Sequence, residues 1–199
     1  APLGQLDDGV RDELAGPVVG GLAAALDRDD GERHLGRVTR GYGILQPRVS
    51  ITMASAAGVF TTNLAKAAPV LLSRDHLAQS EGHGRAIVIN SGCANACTGA
   101  DGRDHARVMA ARTAEAVKCA PSAVLVASTG VIGVKLKMAN VERGIMDAAA
   151  QLSPANGAAA ARAIMTTDPF PKASAVEASA GGRTFRVGGM AKGSGMIEP

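Results

Sequence analysis

Two short apolar runs organise the chain. Arg85-Ala86-Ile87-Val88-Ile89-Asn90 and Ala123-Val124-Leu125-Val126-Ala127 are rich in β-branched residues and end in small or polar ones, so each predicts a buried strand. Each leads into a loop of small residues: Ser91-Gly92-Cys93-Ala94-Asn95-Ala96-Cys97-Thr98-Gly99 after the first, Ser128-Thr129-Gly130-Val131-Ile132-Gly133 after the second. A helix is predicted over 104–118, where Val108, Ala111, Ala114 and Val117 lie three apart and Asp101 or Asp104 could cap it. A clearer helix carries Met138, Val141, Ile145, Ala148 and Leu152 at steps of three and four, one apolar face. Ser153-Pro154 then reads as an N-cap followed by proline at the first helical position. That helix runs to Met165 and stops at Thr166-Thr167-Asp168-Pro169. Last, 173–178 and 183–187 flank Ala180-Gly181-Gly182, a hairpin signal. Strands alternating with helices define an α/β class.

Residues 1–53 are different in kind. Asp7, Asp8, Asp12, Glu13, Asp27, Asp29, Asp30 and Glu32 make the first part acidic, and Arg33, Arg37, Arg40 and Arg48 make the next part basic. Helical periodicity is weak, although residues 18–26 could form one helix after Pro17. The chain therefore divides into an atypical N-terminal segment, 1–53, and a domain over 54–199. There is no internal repeat.

Composition narrows the function. The 199 residues suffice for one ordinary domain, and 46% hydrophobic content is that of a globular chain. With no Trp, one Tyr and three Phe, the core has to be built from Ala, Val, Ile, Leu and Met. Abundant Ala and 25 Gly read first as the codon bias of a GC-rich genome, and second as a fold that leans on a partner surface. Net charge is only +3, with no Lys/Arg run and no interleaved aromatics for base stacking, so nucleic acid is not an expected partner. The apolar runs are too short to span a bilayer and no signal-peptide pattern is visible, which makes the expected location cytoplasmic, with no membrane partner. Cys93, Cys97 and Cys119 are an odd number without metal spacing, and His34, His76, His83 and His105 are scattered. Small buried thiols and no metal site are expected.

Three places could carry chemistry. Ser128-Thr129-Gly130 follows a predicted strand, and a loop there can aim backbone N–H groups and a hydroxyl at one point, the arrangement that stabilises an oxyanion. Taken by itself it is also an ordinary strand-to-helix turn. Thr166-Thr167-Asp168 has the residue types that satisfy loose backbone groups at a helix end, or that place a hydroxyl at a substrate. Lys192 sits between glycine clusters in Gly188-Gly189-Met190-Ala191-Lys192-Gly193-Ser194-Gly195, with no acid near it in sequence until Glu198. A cation on so permissive a backbone suits a small anionic ligand. It is not a P-loop, whose lysine follows Gly-x4-Gly and precedes Ser or Thr. No nucleophile–base pair and no Gly-x-Ser-x-Gly elbow is present, so an acyl-transfer nucleophile would have to come from elsewhere.

Several segments together resemble the ornithine acetyltransferases. They are Ala56-Ala57-Gly58-Val59-Phe60-Thr61-Thr62-Asn63, Lys66-Ala67-Ala68-Pro69-Val70, the stretch 90–99, the stretch 128–133, Ala163-Ile164-Met165-Thr166-Thr167-Asp168 and the stretch 188–196, in the family's order and spacing. The resemblance covers roughly 54–199. Residues 1–53 lack the family's Val-Thr-Ala-Pro-type opening, and Val38-Thr39-Arg40-Gly41-Tyr42-Gly43 is its nearest echo.

The resemblance implies a layered αββα sandwich like that of certain self-processing aminopeptidases. It implies a precursor cut before a threonine, which becomes the nucleophile at the start of a β chain. The present chain is then the α chain, with no nucleophile of its own, inactive without the β chain and associated with it as a hetero-oligomer. The implied reaction is ping-pong transfer of acetyl from N-acetylornithine to glutamate in arginine biosynthesis. Thr129 and Gly130 correspond to the oxyanion-stabilising pair, and Thr166 and Lys192 to substrate-binding positions. No cofactor is implied, and acetyl-CoA as a further acetyl donor stays open. Two other readings remain: a catalytically inactive, truncated fragment of that enzyme, and a related self-processing amidase or aminopeptidase. Met165-Thr166-Thr167-Asp168 and Lys192 favour the acetyltransferase over the amidase.

Overall fold

The computed structural model describes residues 21–27, 41–47, 54–181 and 183–194. In chain order come β1 (Gly21–Asp27), β2 (Gly41–Pro47), β3 (Ala54–Ser55), α1 (Ala68–Gln79), β4 (His83–Gly84), β5 (Ala86–Cys93), α2 (Gly99–Val117), β6 (Val124–Val131), α3 (Met138–Ala150), α4 (Gly157–Ala163), β7 (Lys172–Ala180) and β8 (Arg183–Ala191). Short 3₁₀ turns at Pro121–Ala123 and Pro154–Asn156 lead into β6 and α4. The main sheet has the order β1-β2-β5-β6, and β5 and β6 are parallel while the other neighbours are antiparallel. A parallel pair needs a crossover connection, and α2 supplies it, so β5–α2–β6 is a βαβ unit.

The core follows from alternation. Ala86, Val88 and Asn90 of β5, and Val124 and Val126 of β6, are buried at every second position, as one face of a pleated strand requires. Ala86, Val88, Val124 and Val126 pack with Met109, Ala110, Ala114 and Val117 of α2 and with Val141, Ile145 and Ala148 of α3. Full burial of a side chain such as Met109 or Ile145 contributes about 1.5–3 kcal/mol. Small residues at the contact let the helices approach the sheet closely without aromatic filler.

Among the described residues β6 is an edge of the main sheet. Unpaired edge N–H and C=O groups invite foreign strands, and α1 covers them with side chains. Ser73 Oγ donates to the Val126 carbonyl at 2.7 Å and accepts from the Val126 N–H at 2.8 Å. The His76 ring stands 2.7 Å from the Val124 carbonyl; a carbonyl only accepts, so Nδ1 carries the hydrogen. Both side chains are buried.

Several expectations need correction. The small-residue loops after the two apolar runs are not loops at their start: 91–93 and 128–131 continue β5 and β6. Parallel pairing carries on through Ser91↔Thr129 and Gly92↔Gly130 and ends in a bulge at Cys93, which pairs with both Thr129 and Val131. The residues 18–26 expected as helix are strand over Gly21–Asp27, paired to β2 from Gly21↔Pro47 to Asp27↔Gly41; cross-strand pairing overrides a weak local preference. The remainder of that expectation, and most of the acidic and basic stretch, lies outside the described residues. α2 begins at Gly99, not 104, so Asp101 and Asp104 lie inside it and neither caps it. Its buried face is Gly102, Ala106, Met109, Ala110, Thr113, Ala114 and Val117. The predicted stripe was rotated, because alanines on both sides hide the phase that the exposed Arg103, Arg107 and Arg112 reveal. Cys97 is exposed and Cys93 and Cys119 are half-buried, so the thiols are not uniformly interior. Partial burial pushes the Cys119 thiol pKa up, with Arg85 pulling the other way. The α3 helix, the Ser153 cap, which accepts from the Ala155 N–H at 3.2 Å, and the β7–β8 hairpin stand where the pattern predicts them.

Replacing Ser73 by Ala leaves both the Val126 N–H and C=O buried without their partner. Unfolding free energy should drop by about 1–3 kcal/mol, read as a lower denaturant midpoint with an unchanged m-value. A midpoint equal to that of the parent would show that the α1–β6 staple contributes nothing.

Candidate active site

The site forms at the carboxyl end of the parallel pair, where β6 reaches Thr129 and Gly130. Gly130 has φ +131°, and a Cβ there would lie 2.3 Å from the Gly92 carbonyl carbon and 2.6 Å from the Cys93 nitrogen. Only glycine meets both demands. The Thr129 side chain is reached by a residue far along the chain: Lys192 Nζ donates to Thr129 Oγ1 at 2.8 Å. The same ammonium donates to Thr166 Oγ1 at 2.8 Å.

Three elements make this meeting happen. β6 delivers Thr129. α4 ends at Ala163, and the turn after it presents Thr166. The hairpin delivers Lys192: its register runs from Ala180↔Arg183 to Lys172↔Ala191, so the chain leaves β8 beside the segment that entered β7. Lys192 is thereby set against 166–172, although it lies 20 to 26 positions further along the chain.

Asp168 holds the arrangement together. Its side chain is fully buried, and it accepts from the Thr166 N–H at 3.1 Å, from Lys172 Nζ at 2.8 Å and, closely, from the Gly193 N–H. Gly193 has φ +144°, the glycine-favouring conformation that turns its N–H onto the carboxylate. Burial opposes ionisation of Asp168. The backbone donors of Gly193 and Thr166 and the Lys172 ammonium outweigh it and hold the carboxyl well below the usual carboxylate range. Thr167 Oγ1 lies 2.9 Å from Ser194 Oγ and adds a second tie between the same segments.

Of the residues singled out from the sequence, Thr129, Thr166 and Lys192 converge on one point, and Gly130 stands beside them on β6. Lys192 is not remote from acids: Asp168 Oδ2 lies 3.9 Å from its Nζ. Two ammoniums, Lys172 and Lys192, surround one carboxylate, so these three groups carry a net charge of +1. Such a site favours an anion or a developing negative charge. No group of three His, Cys, Asp or Glu side chains suited to a metal gathers among the described residues. Asp168, Lys172 and Gly193 were missed as parts of the site. The signal existed: the predicted hairpin, continued to equal arm lengths, already sets Lys192 beside the Thr-Thr-Asp turn.

Fold and site thus define an α/β protein with a hydroxyl-lined cationic site at the end of a parallel strand pair. The model of the ArgJ family matches residues 44–199. An arginine biosynthesis bifunctional protein ArgJ from Symbiobacterium thermophilum is 57% identical over 145 residues, 73% of this chain and 36% of that protein. The protein of the same name from Thermosynechococcus vestitus is 46% identical over 182 residues, 92% of this chain and 43% of that one. Solved structures agree. The arginine biosynthesis bifunctional protein ArgJ of Bacillus halodurans superposes with a TM-score of 0.76 at 36% identity over 94% of both chains. The ornithine acetyltransferase of Mycobacterium tuberculosis, solved with ornithine, gives 0.76 at 33% identity over 92% of this chain and 93% of that one. The chain belongs to the ArgJ family, and its fold is the expected α/β type of the ornithine acetyltransferases. It spans about 36–43% of the length of these curated relatives.

The low Asp168 pKa fixes the sign of a pH effect. A carboxyl depressed in the folded state stabilises it above the unfolded value of about 4 and loses that contribution as pH falls further. Asp168→Asn should therefore be less stable than the parent at pH 7, and the gap should begin to narrow as pH falls below about 4. Denaturant melts at pH 7, 5 and 3 would read it; a gap that does not change with pH would contradict it.

Proposed function

We propose that this chain is the α portion of an enzyme that moves the acetyl group of N-acetylornithine to glutamate in arginine biosynthesis, with a β chain that supplies an N-terminal threonine. The observation that carries the reading is the single ammonium of Lys192, 2.8 Å from both Thr129 Oγ1 and Thr166 Oγ1. Membership of the ArgJ family supports the reaction class. A two-chain enzyme is supported by a contrast of lengths: the chain spans about a third of one curated relative but 94% of a solved ArgJ chain.

The chemistry follows from the donors. Each threonine hydroxyl accepts from Lys192 and keeps its own proton to donate. An accepted hydrogen bond from a cation polarises a hydroxyl and makes it a better donor. Thr129 thus offers an O–H, and Gly130 a backbone N–H beside it, to the oxygen that becomes negative when the β-chain threonine attacks the acetyl carbonyl. The threonine's own α-amine takes the hydroxyl proton and returns it to the leaving amine of ornithine. Glutamate then takes the acetyl group by the reverse steps, so the cycle itself requires no acetyl-CoA. Thr166 and the remaining N–H of Lys192 face the substrate's polar groups.

Two variants, assayed with the downstream polypeptide present, test the roles. Thr129→Ala should lower kcat by about 10²–10³-fold with a smaller change in KM. Lys192→Met keeps the stem and removes the charge, and it should weaken substrate binding by roughly 1.5–3 kcal/mol, the range for a charge-assisted hydrogen bond, with some loss of kcat through both hydroxyls. Near-normal turnover in folded Thr129→Ala, or unchanged KM and kcat in folded Lys192→Met, would return these residues to structural roles.

A further inference from the structure

Both strand ends that build the site lean on one short segment, 90–94. The Gly92–Cys93 backbone is what Gly130 touches, close enough that no Cβ fits between them. The Ala94 N–H donates to the Val131 carbonyl at 2.9 Å, one residue past Gly130. Ser91 Oγ donates to the Ala163 carbonyl at 2.7 Å, the last residue of α4, three before Thr166. So 91–94 sets the height of Thr129–Gly130 on one side and of Thr166 on the other.

That segment is bulged. Gly92 has φ +99°, and Cys93 faces two residues of β6 instead of one. A bulge leaves a residue outside the regular ladder, and Asn90 closes this one: its Nδ2 donates to the Cys93 carbonyl at 2.9 Å. The carbonyl can only accept, so the amide nitrogen must face it. Asn90 is 1% exposed. It continues the row Ala86, Val88 that packs the core, where an apolar residue would be expected. Its Oδ1 is buried and has no hydrogen-bond partner among the described residues, nor has the buried Oγ of Ser128, its register partner on β6. A buried unsatisfied acceptor is destabilising. The fold keeps an amide where folding alone favours Leu or Val, and the group this amide serves is the backbone behind Gly130.

We propose that Asn90 is a positioning residue for acetyl transfer. Through Cys93 and the bulge it fixes the Gly92–Cys93 backbone against Gly130, and so the donors Thr129 and Gly130 that meet the oxyanion. This rests on the acyl-transfer reading above. The test uses the enzyme with its downstream polypeptide and compares Asn90→Leu, Thr129→Ala and the double variant by steady-state acetyl transfer from N-acetylornithine to glutamate. Asn90→Leu keeps the volume and removes the donor. Its kcat should fall by more than about 10-fold, toward the 10²-fold that misplacement of a reacting geometry costs, while KM stays within about twofold. The double variant should lose little more than Thr129→Ala alone, because both act on one set of donors.

A second variant covers a failure of Asn90→Leu to fold. Asn90→Asp has the same shape. Its neutral carboxyl can donate to the Cys93 carbonyl and its ionised form cannot, so its kcat should fall as pH rises through that ionisation, on a limb the parent lacks. A kcat for Asn90→Leu within twofold of the parent, a fully multiplicative double variant, or a parent-like pH profile for Asn90→Asp would overturn the proposal. Near-normal turnover of Thr129→Ala would instead remove the reading beneath it.

Discussion

A carboxylate taken out of water must be met by donors, and Asp168 meets that demand with groups from three parts of the chain. Its partners are the Thr166 N–H in its own turn, the Lys172 ammonium at the start of β7 and the Gly193 N–H beyond the end of β8. Breaking any of them leaves a buried charge undercompensated, which is far costlier than losing a surface pair. The hairpin is therefore locked at its open end as well as at its turn. Lys192 adjoins Gly193, so the lock also decides where its ammonium sits. Thr129 and Thr166 are then approached by a cation held from behind, not by one searching from solvent.

The same constraint accounts for one of the glycines around Lys192. Gly193 needs φ +144° to aim its N–H at Asp168, and a residue with a Cβ would be strained there. A glycine-rich stretch that looked in sequence like a ligand-approach loop has one glycine whose partner is protein. Gly130 shows the other use. It combines a positive φ with direct contact to the Gly92–Cys93 backbone, so two strand ends close on each other with no side chain between them.

Most of the scaffold was legible from local pattern. The β-branched runs gave β5 and β6, steps of three and four gave α3, Ser153-Pro154 gave a cap, and the glycines near 181 gave the hairpin. What was not legible has a common cause: the deciding partner lies far away in sequence. Gly21–Asp27 is strand because β2 lies beside it. Residues 91–93 and 128–131 remain strand because each supports the other. The phase of α2 is blurred by alanine on both faces. The hairpin links Lys192 to the turn that carries Thr166, whereas Thr129 joins them only through the family resemblance. Asp168 reads in sequence as a helix stop, and only the hairpin continued to equal arm lengths brings Lys172 and Gly193 to it.

A site with two ammoniums and one carboxylate is unbalanced by design of its geometry, and the imbalance is directional. Lys172 lies 2.8 Å from Asp168, whereas Lys192 stays 3.9 Å from it and 2.8 Å from each of two hydroxyls. The carboxylate is thus spent mainly on Lys172 and on backbone N–H groups. Were Lys192 to close on Asp168, its charge would be neutralised and the hydroxyls would lose their polarising donor. Lys172, also 4.9 Å above the Phe170 ring, holds Asp168 Oδ1, while Oδ2, the oxygen nearer Lys192, accepts from the Thr166 N–H. The arrangement keeps one positive charge uncommitted to a carboxylate at the strand ends, where it polarises the hydroxyls of Thr129 and Thr166.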